Sequence, residues 1–583
     1  MVTLKIEVFL NILYLIKMGI PTYFRYLFQK NNKLVTFESD QPDCLFFDLN
    51  SILYKVFYDD QEKNKNSEDI FISNILKEIA FLCNEKVKPK SLIYFALDGP
   101  APRSKMVQQR SRRYKSIQLQ EIFKTGTDWN PSNHICPGTT FMYKFCQELL
   151  HMIYQKKLHC PEIILNDFAV PGEGEHKILP IIRKYRLEKP ESSIIIMSPD
   201  NDLLSLSLLT DKRKIYIMRY MDKPTASLLQ KEYNKNDIIY ISIDKINQDF
   251  LPPDINSENI INKKNIVLDY NFLLSIVGND FVTAVPYMKI KQGGMDKLLN
   301  IYHEILKKLD KYLIDPETLH IDFVFLKLIM QELAKKENNE FLILGSFIQR
   351  ERSGSTGNFY SEENLTPEQK YKNDVQHLYL CNNQHPLYDI YEEDFQKVNF
   401  FSASYTWKNQ YYNHFCANHS DGQSRKRMIV EYLKSLKFTL LYYNDSCPSW
   451  SWYYPYRVAP LFSDIYFFLC SNENMDFNEK LSFSKGKPLT PFEQLMFILP
   501  PQSKENIPRV YHDLFIQYKQ YYPDAFRIDA LQGLKYIYSE AILPHWDCSL
   551  QFLYDVRKRH EFLSTEEKER NKISTKIYRY INK

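Results

Sequence analysis

The ten cysteines of this sequence include no Cys-x-x-Cys pair and no repeated spacing. A structural zinc and a disulfide framework are therefore not expected, and the thiols read as reduced, inside a cell. No apolar run is long enough to span a bilayer. The nearest candidate, MVTLKIEVFLNILYLIK at the start, is interrupted by Glu7 and Asn11 and is followed by no small-residue cleavage site. Neither a membrane anchor nor a secretory leader is expected from it. A strong net charge is missing as well: 75 Lys and Arg stand against 71 Asp and Glu, a balance of +4. Any nucleic-acid surface must come from local clustering of charge. Repeats and long low-complexity tracts are absent.

What is there is a chain of 583 residues, 44% hydrophobic and 25% charged, long enough for about two or three core-bearing units. Aromatic residues are abundant, with 42 Tyr and 38 Phe. Aromatic cores are the first explanation, and base stacking is the second.

The chain is organised around LIYFALDGPAPRSKMVQQRSRRYKS, Leu92 to Ser116. An apolar run ends on Asp98, which reads as a buried strand with an acid at its tip. Gly-Pro-Ala-Pro stops the strand, and six basic residues follow: Arg103, Lys105, Arg110, Arg112, Arg113 and Lys115. In a helix, Lys105, Gln109, Arg112 and Arg113 fall at i, i+4, i+7 and i+8 and share one face, suited to a phosphate. The same grammar recurs. CLFFDLN ends a strand on Asp48, VPGEGEH carries Glu173 and Glu175 into a helix, SIIIMSPDND delivers Asp200 and Asp202, and VGNDF carries Asp280. Strands alternating with helices predict an α/β fold with a mostly parallel central sheet, whose ligands lie at the carboxyl ends of the strands. So many like charges brought together make physical sense only around cations, and oxygen ligands favour Mg²⁺ or Mn²⁺. Two such ions would suit an in-line displacement at a phosphodiester.

Four segments are expected. Residues 1–17 read as an extension or misassigned start, with Met18 the working N-terminus, and residues 18–345 as an α/β core. Residues 346–393 are polar and turn-rich, a linker or flexible loop, and 394–583 form a second, mainly helical and aromatic-rich region packed against the core.

The stretches MGIPTYFRYL, FFDLN, ALDGPAPRSKMVQQRSRRY, CPGTTFM, VPGEGEHKI, SPDNDLL, VGNDFVTAVP, WKNQYY, YYNDSCPSWSWYYPYRVAPLFSDI and PFEQLMFILPPQSK follow one another in order. In these the chain resembles the XRN family of 5′→3′ exoribonucleases, within the superfamily of flap endonuclease-like and PIN-like nucleases. The resemblance implies that Asp48, Asp98, Glu173, Glu175, Asp200, Asp202 and Asp280 form a two-metal Mg²⁺ site. Asp48, Asp98 and Glu173 would lean to one ion, Asp200, Asp202 and Asp280 to the other, with Glu175 near both. It also implies that Lys105, Gln109, Arg112 and Arg113 hold a 5′-monophosphate. Leading bases would stack between Tyr54, where the family has a histidine, and a tryptophan, either Trp450 or Trp452. His176 would support the site structurally. Arg457 stands where relatives usually have histidine.

The implied activity is degradation of 5′-monophosphorylated single-stranded RNA to mononucleotides in mRNA decay, functionally linked to a decapping activity. A cytoplasmic monomer without membrane contact is expected, since no basic cluster reads as a nuclear signal. Two alternatives stand beside it. A flap- or DNA-directed 5′ nuclease is opposed by FVTAVPYMKIKQGG, which lacks the glycine-patterned helix-turn-helix element of flap endonucleases. A nuclease-inactive RNA-binding protein is opposed by the intact seven acids. Beside the family the chain reads as a short form, and neither the long appended domains of cytoplasmic relatives nor the zinc knuckle of some nuclear ones is expected.

Overall fold

The structure is a computed structural model that describes residues 20–60, 68–123, 129–210, 213–248, 260–353, 369, 389–390, 406–415, 422–529, 540–546 and 550–582. The expected N-terminal extension lies outside these residues, as does most of the expected linker.

Its strands are β1 (Val35–Thr36), β2 (Cys44–Asp48), β3 (Leu92–Ala96), β4 (Glu162–Asn166), β5 (Ile194–Met197), β6 (Ile215–Tyr220), β7 (Ile238–Ser242), β8 (Asp389–Ile390), β9 (Arg527–Asp529), β10 (Glu540–Ile542) and β11 (Tyr578–Ile581). Eight of them make the central sheet, in the order β1-β7-β6-β5-β2-β3-β4-β11, and β10-β9-β8 form a small second sheet. The five inner strands, β6-β5-β2-β3-β4, are parallel, and the edges are antiparallel. Parallel strands covered on both faces need unbroken apolar runs. Leu92–Ala96 and Ile194–Met197 supply them, and every residue in both strands is buried.

Alternation along each strand splits the core in two. Phe46, Tyr94, Ile194, Ile196 and Ile217 face one way, into a cluster that continues through the helical region to Tyr411, Phe438 and Leu481. Leu45, Phe47, Ile93, Phe95 and Ile195 face the other way, against helices of the N-terminal half. The helical region therefore shares a core with one face of the sheet, as expected. A third cluster joins Met106 to Phe492, Tyr511, Trp546 and Phe552 near the C-terminus.

Six helices position the site: α1 (Asn50–Asp60), α2 (Arg103–Phe123), α3 (Gly174–Glu188), α4 (Asp202–Leu208), α5 (Ile260–Ile276) and α6 (Gly422–Asn444). After β2 the chain moves to one side to lay down β3 and β4, then crosses back to place β5 on the other side of β2. Such a reversal of strand order opens a crevice at the carboxyl ends of the strands, where open α/β sheets bind their ligands.

Two features lie beyond the expected segments. A single helix, Phe323–Ser353, runs across the boundary placed at 345/346. The final strand β11 leaves the helical region and pairs with β4, Tyr578 opposite Leu165, closing one edge of the central sheet.

Candidate active site

The apolar runs set where the acids emerge. Asp48 is the last residue of β2, opposite Ala96, and Asp98 lies two residues beyond the end of β3. Asp200 follows β5 by three residues, and Asp202 opens α4. Glu173 caps α3 and Glu175 sits in its first turn. Asp280 follows α5 in a turn where Asn279 accepts from the backbone N–H groups of Phe281 and Val282 at 2.9 and 2.8 Å.

The structure brings all seven acids into one electrostatic neighbourhood. Burial raises the Asp48 carboxyl well above its ordinary range, and Asp98 and Asp200 add repulsion. Burial likewise raises Glu175 strongly, with Asp200, Glu173 and Asp202 adding to it. Asp202 is raised strongly by burial, then by Asp200 and Asp280. Glu173 and Asp200 are raised by burial although Lys105 opposes it. Asp280 is the exception: burial raises it, but Lys105 and Arg112 outweigh burial and hold it below the usual range.

Lys105 is a cation within the cluster. Its ammonium lies 2.5 Å from Glu173 Oε1 and 2.6 Å from Asp280 Oδ2, and its side chain is only 5% exposed. Burial alone would lower its pKa; Asp280 and Glu173 win and raise it. Arg112 reaches Asp280 at 3.5 Å, and Gln108 donates to the same carboxylate. Lys105 and Arg112 cannot balance seven acids, of which Glu173, Glu175, Asp200 and Asp202 are buried.

The acids are held in place by groups around them. Asn50 donates to Asp98 at 3.0 Å and accepts from its backbone N–H, Ser198 donates to Asp48 at 2.9 Å, and Ile20 N–H donates to Asp202 at 2.7 Å. Gly174 N–H donates to Asp98 at 2.8 Å. A Cβ at Gly174 would lie 2.8 Å from Asp48 Oδ1 and 3.5 Å from Asp98 Oδ1, so only glycine keeps this cradle open. Glu175 Oε1 is buried with no hydrogen-bond partner among the described residues, His176 Nε2 lying 3.5 Å away. Glu173, Glu175 and His176 each offer a ligand atom within 4.8 Å of one another. Hard oxygen donors, an orphaned carboxylate oxygen and a cradle between two acids fit a divalent cation. His176 is held neutral by burial, its pKa lowered to about 3.

The four residues expected at the phosphate pocket divide. Lys105 and Arg112 point to the acids. Gln109 accepts at 3.4 Å from Gln494. Arg113 is buried, donating to Gln109 O and Cys136 Sγ, each at 3.0 Å. Tyr54, on α1, is half-buried and close enough to feel Arg113, Asp98 and Arg112. Trp452 is committed to the helical core: its indole donates to Glu431 at 2.7 Å and packs on Phe438 and Phe483. Trp450 is half-buried beside the start of α2, its carbonyl accepting from Arg103 N–H at 3.1 Å, and its ring has no aromatic partner among the described residues.

The sequence reading missed the Ile20 amide, Asn50, Ser198 and two tyrosines of α6. Asn50 and Ser198 had a signal, each sitting within two residues of a strand-end acid. The tyrosines, more than 200 residues from Glu173 and Asp202 in sequence, open the stretch YYNDSCPSWSWYYPYRVAPLFSDI, but nothing in it ties them to those acids.

Two family models match the chain. One described as XRN 5'-3' exonuclease N-terminus covers residues 18–221, and one described as Xrn1 helical domain covers residues 260–384 and 349–582. Among curated proteins, the chain is 26% identical to the 5'-3' exoribonuclease 2 homolog of Drosophila melanogaster, over 95% of this chain and 72% of that protein. It is 26% identical to the 5'-3' exoribonuclease 1 of Schizosaccharomyces pombe, over 95% of this chain and 49% of that protein. With the 5'-3' exoribonuclease 1 of Saccharomyces cerevisiae it shares 25% identity, over 97% of this chain and 45% of that protein.

Proposed function

The chain belongs to the XRN 5'-3' exonuclease family, and on that premise we propose that it hydrolyses 5′-monophosphorylated single-stranded RNA from the 5′ end, releasing mononucleotides in RNA decay. The observation that carries this reading is the cluster of seven acids, four of them buried and three partly buried, with Lys105 and Arg112 converging on Asp280. Asp48, Asp98, Glu173, Glu175, Asp200, Asp202 and Asp280 hold two Mg²⁺ ions in this reading. When bound, such ions supply a nucleophilic hydroxide from water and neutralise the leaving oxygen.

The protein's own residues do the rest. Asn50, Ser198, the Ile20 amide and the Gly174 amide fix the carboxylates in orientation, so little reorganisation is needed on the way to the transition state. Arg112, 22% exposed and 3.5 Å from Asp280, would grip a 5′-phosphate. Lys105 would add positive charge behind that pocket and Gln109 a polar contact, while Arg113, turned to Gln109 O and Cys136 Sγ, would act on it only through its field. A single terminal phosphate matches this donor set, and a capped or triphosphorylated end exceeds it. An upstream decapping or pyrophosphate-removing activity would then supply the substrate.

Trp450 is assigned to base stacking opposite Tyr54, because Trp452 is already spent on the core. Trp450→Ala is expected to weaken single-stranded RNA binding about tenfold and to leave thermal unfolding unchanged; fluorescence anisotropy checks the first and calorimetry the second.

The reading is tested with Mg²⁺ and 3′-labelled single-stranded RNA bearing a 5′-monophosphate, 5′-hydroxyl or 5′-triphosphate, alongside Asp200→Ala. Loss of the monophosphate substrate alone, abolished by the variant and by chelator, is the expected result. Equal decay of all three ends would remove the phosphate pocket, and no decay with RNA still bound would favour a binding protein.

A further inference from the structure

Helix α6 belongs to the helical region, yet it places two consecutive tyrosines against the acid cluster. Tyr442 donates through its hydroxyl to Glu173 Oε2 at 3.0 Å, the oxygen that Lys105 leaves free. Tyr443 donates more weakly to Asp202 Oδ2 at 3.5 Å, the oxygen that the Ile20 amide leaves free. Both tyrosines are buried.

The Tyr442 ring makes two further contacts. It stacks on His176, with centroids 3.7 Å apart and planes 25° apart, and meets Phe281 edge-on at 5.2 Å. His176 follows Glu175 in sequence, and Phe281 follows Asp280. One side chain from the helical region thus touches the turns that carry Glu173, Glu175 and Asp280. Phe438, one turn earlier on α6, packs on Tyr442 from behind at 5.5 Å and in turn on Trp452 at 5.0 Å.

We propose that Tyr442 is a positioning residue for the metal-binding acids, with Tyr443 as a weaker partner, so that docking of the helical region sets the geometry in which the acids take up divalent cations. The inference rests on the nuclease reading and names residues which that reading does not use. A hydroxyl donated to one carboxylate oxygen restricts rotation of the carboxylate and directs the other lone pairs inward. Outer partners of this kind typically change metal affinity or activity by about ten- to a hundredfold when removed.

The test compares wild type, Tyr442→Phe, Tyr443→Phe and Tyr432→Phe. Tyr432 is a buried tyrosine of the same helix whose hydroxyl has no hydrogen-bond partner among the described residues, and it controls for loss of a buried hydroxyl as such. Mn²⁺ binding without RNA is measured by electron paramagnetic resonance, and the half-saturating Mg²⁺ concentration is measured on 5′-monophosphorylated RNA. Metal-free thermal unfolding is followed in parallel.

Tyr442→Phe should weaken Mn²⁺ binding and raise the half-saturating Mg²⁺ about tenfold. Its rate should recover at saturating metal, and its KM for RNA should stay unchanged. Tyr443→Phe should do the same to a smaller degree, and Tyr432→Phe should behave as wild type. Wild-type metal affinity in Tyr442→Phe, or a lowered unfolding temperature with no change in metal requirement, would overturn the proposal while leaving the nuclease reading intact. A wild type that binds no Mn²⁺ and cleaves no RNA would overturn both.

Discussion

The two sides of the basic helix α2 carry the same residue types and do different work. At about 100° per residue, Arg112 lies about 20° from Lys105 around the helix, while Arg103 and Arg110 lie about 140–160° away. On the first side Lys105, Arg112 and Gln108 all reach Asp280. On the second, Arg110 donates to the carbonyls of Pro544 and Tyr521 and lies over the Trp546 ring at 5.3 Å. Arg103 donates to the Trp546 carbonyl and lies over Tyr453 at 4.7 Å. Guanidinium groups that end on carbonyls and aromatic faces hold protein to protein. A run of positive charge is therefore not one electrostatic surface: the helical angle of each residue decides whether it serves the site or anchors the C-terminal segment.

The largest expected effect comes from breaking the site side at its buried end. Lys105→Met leaves Glu173 without its cation and Asp280 with Arg112 alone, and should cost the metal-free protein about 3 kcal/mol. Denaturant unfolding with and without Mg²⁺ checks this, and the deficit should shrink when the metal is added.

On the anchoring side, Arg110→Met removes two hydrogen bonds from a charged donor and a cation–π contact, while keeping the buried stem. A loss of about 2 kcal/mol is expected. Cleavage of 5′-monophosphorylated RNA below the unfolding transition should stay within about twofold of wild type, a change worth only ~0.4 kcal/mol of barrier.

A smaller effect sharpens the comparison through pH. Asp48, Glu173, Glu175, Asp200 and Asp202 all have raised carboxyl pKa values, with burial the first cause. A raised pKa means that the folded state binds more protons than the unfolded state does. The stability from these groups is fully present below the ordinary carboxylate range and is lost as pH rises through their elevated values. Asp280, held low, opposes this only at acid pH. The metal-free unfolding temperature should therefore fall as pH rises above the carboxylate range, and Mg²⁺ should flatten the slope. Arg110→Met should keep the slope of wild type.

The sequence made much of this legible, for physical reasons. Strands β2, β3 and β5 are buried on both faces, so their apolar runs stand out and end where Asp48, Asp98 and Asp200 begin. Lys105 and Arg112, seven residues apart, meet at Asp280. The i, i+8 spacing puts Arg113 about 80° round from Lys105, and there its side chain turns inward to Cys136. Spacing alone could not reveal the role of Arg110, which depends on a segment more than 400 residues away. Strand β11 was hidden for a similar reason: TKIYRYI carries charge and half-exposed aromatics, and only pairing with β4 makes it a strand. Tyr442 and Tyr443 open YYNDSCPSWSWYYPYRVAPLFSDI, where nothing local marks a hydroxyl that meets an acid of another region.

The most direct test of the division along α2 is the ratio of cleavage rates on 5′-monophosphate and 5′-hydroxyl RNA, measured for wild type, Arg112→Ala and Arg110→Met. A charge-assisted contact to one phosphate is worth about tenfold. The ratio should fall by about that factor in Arg112→Ala and stay at the wild-type value in Arg110→Met. An equal fall in both variants, or a fall only in Arg110→Met, would contradict the assignment of the two sides.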